Sequence, residues 1–278
     1  MSFLNAIRSE ALKLVTVRLW WVLLLVLLGY VGFTAALLAG LFGALGDQLA
    51  ASPNAPRLPA DTLPQVVYSI TSAVGYVFPL ILGALASTSE FRYQTLTPTF
   101  LATPRRGVVL GAKLVVLAVA GAVFGVVGLV ASMGLGGFVL DLTGNDPAWD
   151  SSATWSMAAR IVLAMALWAV IGVGVGSLIT NQVASIVVVL AFAQFVEPIL
   201  RFGATIWDWT AAVGKFLPGS ASDALVGASI FTSLGTGTGT GGAHVQTLEW
   251  WQGGLVLLAT AVIAAAAGFF TSWKRDVT

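Results

Sequence analysis

The chain has 278 residues, of which 58% are hydrophobic and only 9% charged, and its net charge is +1. Soluble domains carry about a quarter charged residues, so lipid must be the solvent for much of this surface, and no bulk nucleic-acid footprint is indicated. The absence of cysteine excludes disulfides and thiolate metal sites, and the single histidine, His244, argues against a histidine-based metal centre.

The first element, residues 1–18, reads as an amphipathic helix lying along the membrane interface. At about 100° per residue, Phe3, Leu4, Ile7, Ala11, Leu14 and Val15 share one face, and Asn5, Ser9, Lys13 and Thr16 lie on the other. A solvated tail is the alternative. The apolar run from Leu19 is too long for a signal-peptide core and follows Glu10, so it reads as a retained span. A spanning helix needs about 20 mostly apolar residues. Six stretches qualify: Leu19 to Gly43, Gln65 to Ala86, Val108 to Met133, Met157 to Ile179, Val183 to Leu200 and Gln252 to Thr271. Asn181 and Gln182 mark a tight turn between the fourth and fifth. The stretches from Gly46 to Asp61, with Pro53, Pro56 and Pro59, and from Gly235 to Gly242 read as outer loops. The expected fold is all-α, a single polytopic transmembrane domain over 1–278.

Lys and Arg set the orientation. Arg8, Lys13, Arg18, Arg92, Arg105, Arg106, Lys113, Lys274 and Arg275 fall on the N-terminal side, against Arg57, Arg160, Arg201 and Lys215 on the other. Both termini are therefore expected in the cytoplasm of a plasma (inner) membrane protein. Tryptophans give a separate check. Trp20, Trp21 and Trp273 fall at the inner edge, Trp149, Trp155, Trp207, Trp209, Trp250 and Trp251 at the outer edge, and only Trp168 mid-span.

The most informative cytoplasmic stretch is 88–106. It carries Glu90, Arg92, Arg105 and Arg106 together with Phe91, Tyr93, Leu96, Phe100 and Leu101. The positive-inside bias accounts for the arginines; the apolar and aromatic residues suit a docking surface. A short helix is expected from near Ser89, ended or kinked by Pro98 and stopped by Pro104.

Glu90-Phe91-Arg92-Tyr93-Gln94-Thr95-Leu96, then Leu101-Ala102-Thr103-Pro104-Arg105-Arg106, then Lys113 resemble the pattern E-[FY]-R-x-G-T-L…L-A-T-P-x-R…K of type-2 ATP-binding-cassette (ABC) transporter permeases. That family also tends to begin with an interfacial helix carrying E-x-x-K, matched by Glu10 and Lys13. The departure is Gln94, where the family usually has glycine, which suggests a more regular helix there. The resemblance covers the whole chain. It implies a coupling helix that docks on a separate ATPase, with Glu90, Phe91, Arg92, Tyr93, Thr95 and Leu96 at the contact. Thr103, Pro104, Arg105 and Arg106 would anchor the return to the membrane. It also implies a pair of permeases, most simply a homodimer, with ATP and Mg held by the partner ATPase and no cofactor in this chain. The chain has no G-x-x-x-x-G-K-[ST] loop of its own, so it is expected to be no enzyme.

The outer segment 201–251 contains two helix-like apolar stretches, Ile206 to Phe216 and Ala221 to Phe231, around Leu217-Pro218-Gly219-Ser220. A re-entrant hairpin or a surface helical pair fits, and related permeases place a re-entrant hairpin with a Leu-Pro here, matched by Leu217 and Pro218. Glu197, an acid at membrane depth, has Arg201 four residues on; the two read as an ion pair near the interface or as a gate. The two G-x-x-x-G motifs, Gly121 to Gly125 and Gly172 to Gly176, mark close helix contacts within the chain or at a dimer seam. The reading favoured overall is an ATP-driven exporter of a hydrophobic or amphipathic substrate. An ion-gradient-driven transporter and a non-transporting anchor or assembly protein stay open.

Overall fold

The computed structural model describes residues 2–50, 61–103, 105–203, 208–228 and 248–273, and every regular element among them is helical. Pro104, Ile206, Trp207, Phe231, His244, the prolines of the first outer loop, the Gly235 to Gly242 run, Lys274 and Arg275 lie outside the described residues. Six helices are long and apolar enough to cross a membrane: Leu19–Gly46, Leu63–Arg92, Arg106–Leu142, Ser152–Leu178, Gln182–Arg201 and Trp250–Trp273. The chain is a multi-pass membrane protein. Each span covers the stretch that hydropathy assigns to within one residue, the fourth ending at Leu178 rather than Ile179, and most run somewhat further.

The spans are preceded by α1 (Phe3–Thr16), and the first, α2 (Leu19–Ala50), stays helical into the stretch expected to be an outer loop. The second span is two helices, α3 (Leu63–Ala73) and α4 (Val77–Arg92). Pro79 explains the break: it has no N–H to offer the Gly75 carbonyl, which instead accepts from Phe78 N at 3.1 Å. A segment with Leu96–Ala102 as α5 leads to the third span. There α6 (Arg106–Ala131) passes through a π turn at Ser132–Gly136 into α7 (Gly137–Leu142). Ser132 and Thr71, both buried, share a 2.8 Å hydroxyl hydrogen bond that ties this turn to the second span. The fourth span is α8 (Ser152–Leu178). The fifth comprises α9 (Gln182–Ala191), a π turn and α10 (Glu197–Gly203); two short helices follow, α11 (Asp208–Gly214) and α12 (Pro218–Val226). The sixth span is α13 (Trp250–Gly268), ending in a π turn at Phe269–Trp273.

The fourth span is the hub, packed against the second, third and sixth. Its glycines decide this. A β-carbon at Gly172 or Gly176 would run into the backbone carbonyls of Leu80 or Ala84 in α4, and one at Gly174 would meet Ala264 of α13. On the third span, a β-carbon at Gly121 would lie 2.5 Å from the Met165 carbonyl, and one at Gly125 would lie 2.9 Å from Val162 Cα. Both G-x-x-x-G motifs therefore serve packing within the chain, where small residues let backbones touch. The first and fifth spans are the flanks: Leu25, Phe33 and Leu37, and Val187, Phe195 and Ile199, are exposed for lipid or a partner to cover.

Gly176→Ala should therefore destabilise the bundle by about 1–3 kcal/mol through overpacking, read as a lower midpoint in thermal unfolding in detergent. Gly29→Ala, where nothing stands within 4 Å, should leave the midpoint unchanged or raise it.

Candidate functional site

Four charged side chains meet where α1, the end of the second span and the start of the third come together. Glu10 of α1 and Glu90 of α4 are buried, and so is Lys113 of α6, which is only 2% exposed. Lys113 Nζ donates to Glu10 Oε2 at 2.6 Å and lies 3.2 Å from Glu90 Oε1. Lys13 Nζ donates to Glu10 Oε1 at 2.6 Å and to Glu90 Oε1 at 2.7 Å. Two acids and two amines thus form a closed, neutral ring, and Lys113 adds a bond to the Ala86 carbonyl at 3.3 Å. Helical spacing places Glu10 on the buried side of α1 beside Ala6, while Leu4 and Val15 stay exposed. The most buried stripe of α1 is therefore offset from its most apolar one. Burial pushes the Glu10 carboxyl up, but the Lys113 ammonium and then Lys13 override this and hold it below its ordinary value. Burial likewise pushes Lys13 down, and Glu90 and Glu10 outweigh it and raise it.

The segment after Glu90 differs from the expected single short helix. The second span continues helical to Arg92 and ends in a Schellman motif: Thr95 N donates to the Glu90 carbonyl at 3.1 Å and Gln94 N to the Phe91 carbonyl at 3.4 Å. Gln94 carries φ of 54°, the left-handed region that favours glycine. The residue expected to regularise a helix instead terminates one. Pro98 sits in the first turn of α5, where a missing N–H leaves no bond broken, so it neither ends nor kinks that helix.

The residues singled out in this segment divide into two sets. Glu90, Leu96 and Thr103 are buried, and Phe91 is half-buried against the core. Phe100 meets Trp273 edge-on at 5.7 Å between centroids, and Arg106 stacks over Phe100 at 5.0 Å and donates to the Trp273 carbonyl at 2.9 Å. Trp273 is itself buried, so it locks this segment to the end of the sixth span. Arg92, Tyr93, Thr95, Leu101 and Arg105 face outward. Arg92 Nη1 donates to Gln182 Oε1 at 2.9 Å, reaching the turn into the fifth span, where Asn181 Oδ1 caps α9.

A second cluster lies at the opposite end. Glu197 Oε1 accepts from Arg201 Nη2 at 3.1 Å, the pair that i,i+4 spacing anticipates, and also from Gly219 N. Arg201 Nη1 donates to Asp223 Oδ2 at 2.8 Å. Asp223, which the sequence reading did not single out, brings α12 into the cluster. Leu217 and Pro218 start α12 with proline in the first turn. Ala221, Ser222, Leu225 and Val226 are buried, and Ser222 Oγ accepts from the indole N–H of mid-span Trp168 at 3.2 Å. Trp168 in turn lies 4.4 Å from the Tyr76 ring, beside the break in the second span.

Neither a scan against protein-family models nor a search of curated proteins returned a match.

Removing one member of a buried ion cluster leaves its partners uncompensated, at about 3–5 kcal/mol. Lys113→Met should lower stability by that order in chemical denaturation, with α1 becoming sensitive to proteolysis. The contribution of Glu10 is complete above its ordinary 4.5 and lost as pH falls through its lowered folded value; that of Lys13 is complete below its ordinary 10.5 and lost as pH rises through its raised one. A pH series of unfolding midpoints should therefore show a plateau between those limits and a fall on both sides, the acid fall weaker in Glu10→Gln. Gln94→Gly, by contrast, should stabilise the protein by about 1 kcal/mol, since it removes a left-handed side-chain penalty.

Proposed function

We propose that the chain is the permease subunit of a type-2 ABC exporter, moving a hydrophobic or amphipathic substrate across the plasma membrane with energy from a separate ATPase. The observation that supports this best is the buried ring. It joins the N-terminal helix, the end of the second span and the third span into one body, behind an outward-facing surface of Arg92, Tyr93, Thr95, Leu101 and Arg105. In this reading that end is cytoplasmic, α1 lies along the interface, and α5 with the turn before it is the coupling element. Arg92, Tyr93 and Thr95 would meet the ATPase groove directly. Glu90, Phe91 and Leu96 would act from behind, as struts that pass ATPase closure to the bundle. Thr103, Pro104, Arg105 and Arg106 would anchor the return into the third span. ATP and Mg would sit in the partner, and a second copy of this chain would complete the pathway, the exposed first and fifth spans being free to meet it. The two short helices at the other end would form a re-entrant gate, with Leu217 and Pro218 at its turn and Glu197 and Arg201 at its latch.

A second reading, transport driven by an ion gradient, draws on the broken second span and buried Glu197, since such transporters place acids on discontinuous helices. Against it, Glu197 is engaged by Arg201 and Gly219.

Reconstitution in lipid with candidate ABC ATPases from the same cell separates the two. The exporter reading expects a complex whose ATP hydrolysis depends on this chain. Tyr93→Ala with Leu101→Glu should abolish that dependence while leaving the unfolding midpoint of the isolated permease within about 0.5 kcal/mol, as exposed substitutions do. Failure of any ATPase to associate, together with substrate flux that follows an imposed ion gradient, would establish the second reading instead.

A further inference from the structure

An apolar groove of about 310 Å³ runs between α1, the elbow that joins it to the first span, and the second and third spans. Ile7, Ala11 and Val15 form one wall, Trp20 closes the elbow, and Val119 and Val123 of α6 form part of the floor. The elbow is held by the Trp20 indole N–H, which donates to the Val15 carbonyl at 3.2 Å. Every lining residue is apolar. Water there would find none of the two to four polar partners it needs, so in a membrane hydrocarbon fills the groove.

The edge of the groove carries charge. Arg8 lies one turn before Ala11 and two before Val15, hence on the same side of α1. Arg18 lies in the elbow between the lining residues Val15 and Trp20. Both arginines are exposed, and neither has an ion pair or hydrogen bond among the described residues. Lys13 is spent elsewhere, in the ring with Glu10 and Glu90. Two guanidinium groups therefore border an acyl-chain-sized slot, and guanidinium forks match phosphate oxygens two at a time.

We propose that this groove is a binding site for one anionic glycerophospholipid, with an acyl chain along Ile7, Ala11, Val119 and Val123 and its phosphate on Arg8 and Arg18. The lipid wedges α1 against the third span on the side opposite the charged ring. The inference does not rest on the exporter reading, because it concerns the full chain in lipid without any ATPase.

The test is native mass spectrometry and thermal unfolding of the full chain in detergent, titrated with phosphatidylglycerol or phosphatidylcholine. One phosphatidylglycerol per chain should survive delipidation, with at least tenfold preference over phosphatidylcholine and a raised unfolding midpoint. Arg8→Gln with Arg18→Gln should abolish the preference without changing the lipid-free midpoint. Ala120→Phe, which fills the groove from its floor, should abolish retention of both lipids. Equal retention of the two lipids by the wild type, or a preference unchanged in the double arginine variant, would overturn the proposal and leave only annular solvation.

Discussion

The ring of Glu10, Lys13, Glu90 and Lys113 is the constraint around which one end of the molecule is organised. Lysine at membrane depth is expensive unless it is paired, and Lys113 is almost wholly buried. Its partners come from elements distant in sequence, Glu10 from before the first span and Glu90 from the end of the second. Leaving any one of them out of place strands a charge in a medium of low dielectric. The ring therefore fixes where α1 lies and where the second span stops relative to the third. Such a cluster is weak evidence for net stability, because an apolar replacement of the whole set can be as stable. What it supplies is a single allowed arrangement of three elements.

That arrangement is transmitted by contacts that leave little room for slip. The second and third spans both lie against the fourth through glycines whose missing side chains bring backbone to backbone. Close packing of this kind moves as a body rather than deforming, because interiors are dense and poorly compressible. The places where the helices do depart from regularity are specific. Pro79 breaks the second span, π turns interrupt the third and fifth, and a π turn ends the sixth. The break in the second span sits beside Tyr76 and Trp168, and Trp168 bonds to Ser222 of α12. The element that connects one end of the bundle to the other is thus interrupted next to the short helix at the far end.

Much of this was legible in the sequence because lipid enforces a simple code. Runs of apolar residues about 20 long must be helices, since no other open structure satisfies its backbone in hydrocarbon, and all six such runs are helices. The Glu197–Arg201 pair was readable because both ends lie on one helix turn. Asp223 and Lys113 were not, because their partners come from other elements and spacing carries no record of them. A partial signal existed for Lys113: it lies seven residues inside an apolar span that begins at Arg106, where a charge demands a partner, and Glu10 and Glu90 are among the three acids expected on its side, with Asp276. Gln94 was misread for a different reason. Glutamine in place of glycine suggests a regular helix, whereas Gln94 adopts the left-handed conformation itself and the side chain bears the strain. Position along the chain does not show that Trp273 packs against Phe100, because that contact joins two distant segments.

The two ends of the bundle use charge differently. The ring at the α1 end is closed and neutral: each amine meets two acids and each acid two amines, so moving any one element breaks two ion pairs. The cluster at the other end is a chain in which Arg201 joins Glu197 on its own helix to Asp223 on α12. Two polar contacts there join α12 to the fifth span, Arg201 to Asp223 and Gly219 N to Glu197. Withdrawal of that one short helix therefore releases both at once while the Glu197–Arg201 pair stays intact within its own helix. At one end each element is tied to two others by ion pairs, and at the other the pairs run along a chain. That asymmetry follows from the placement of a few charges rather than from any property of the apolar spans between them.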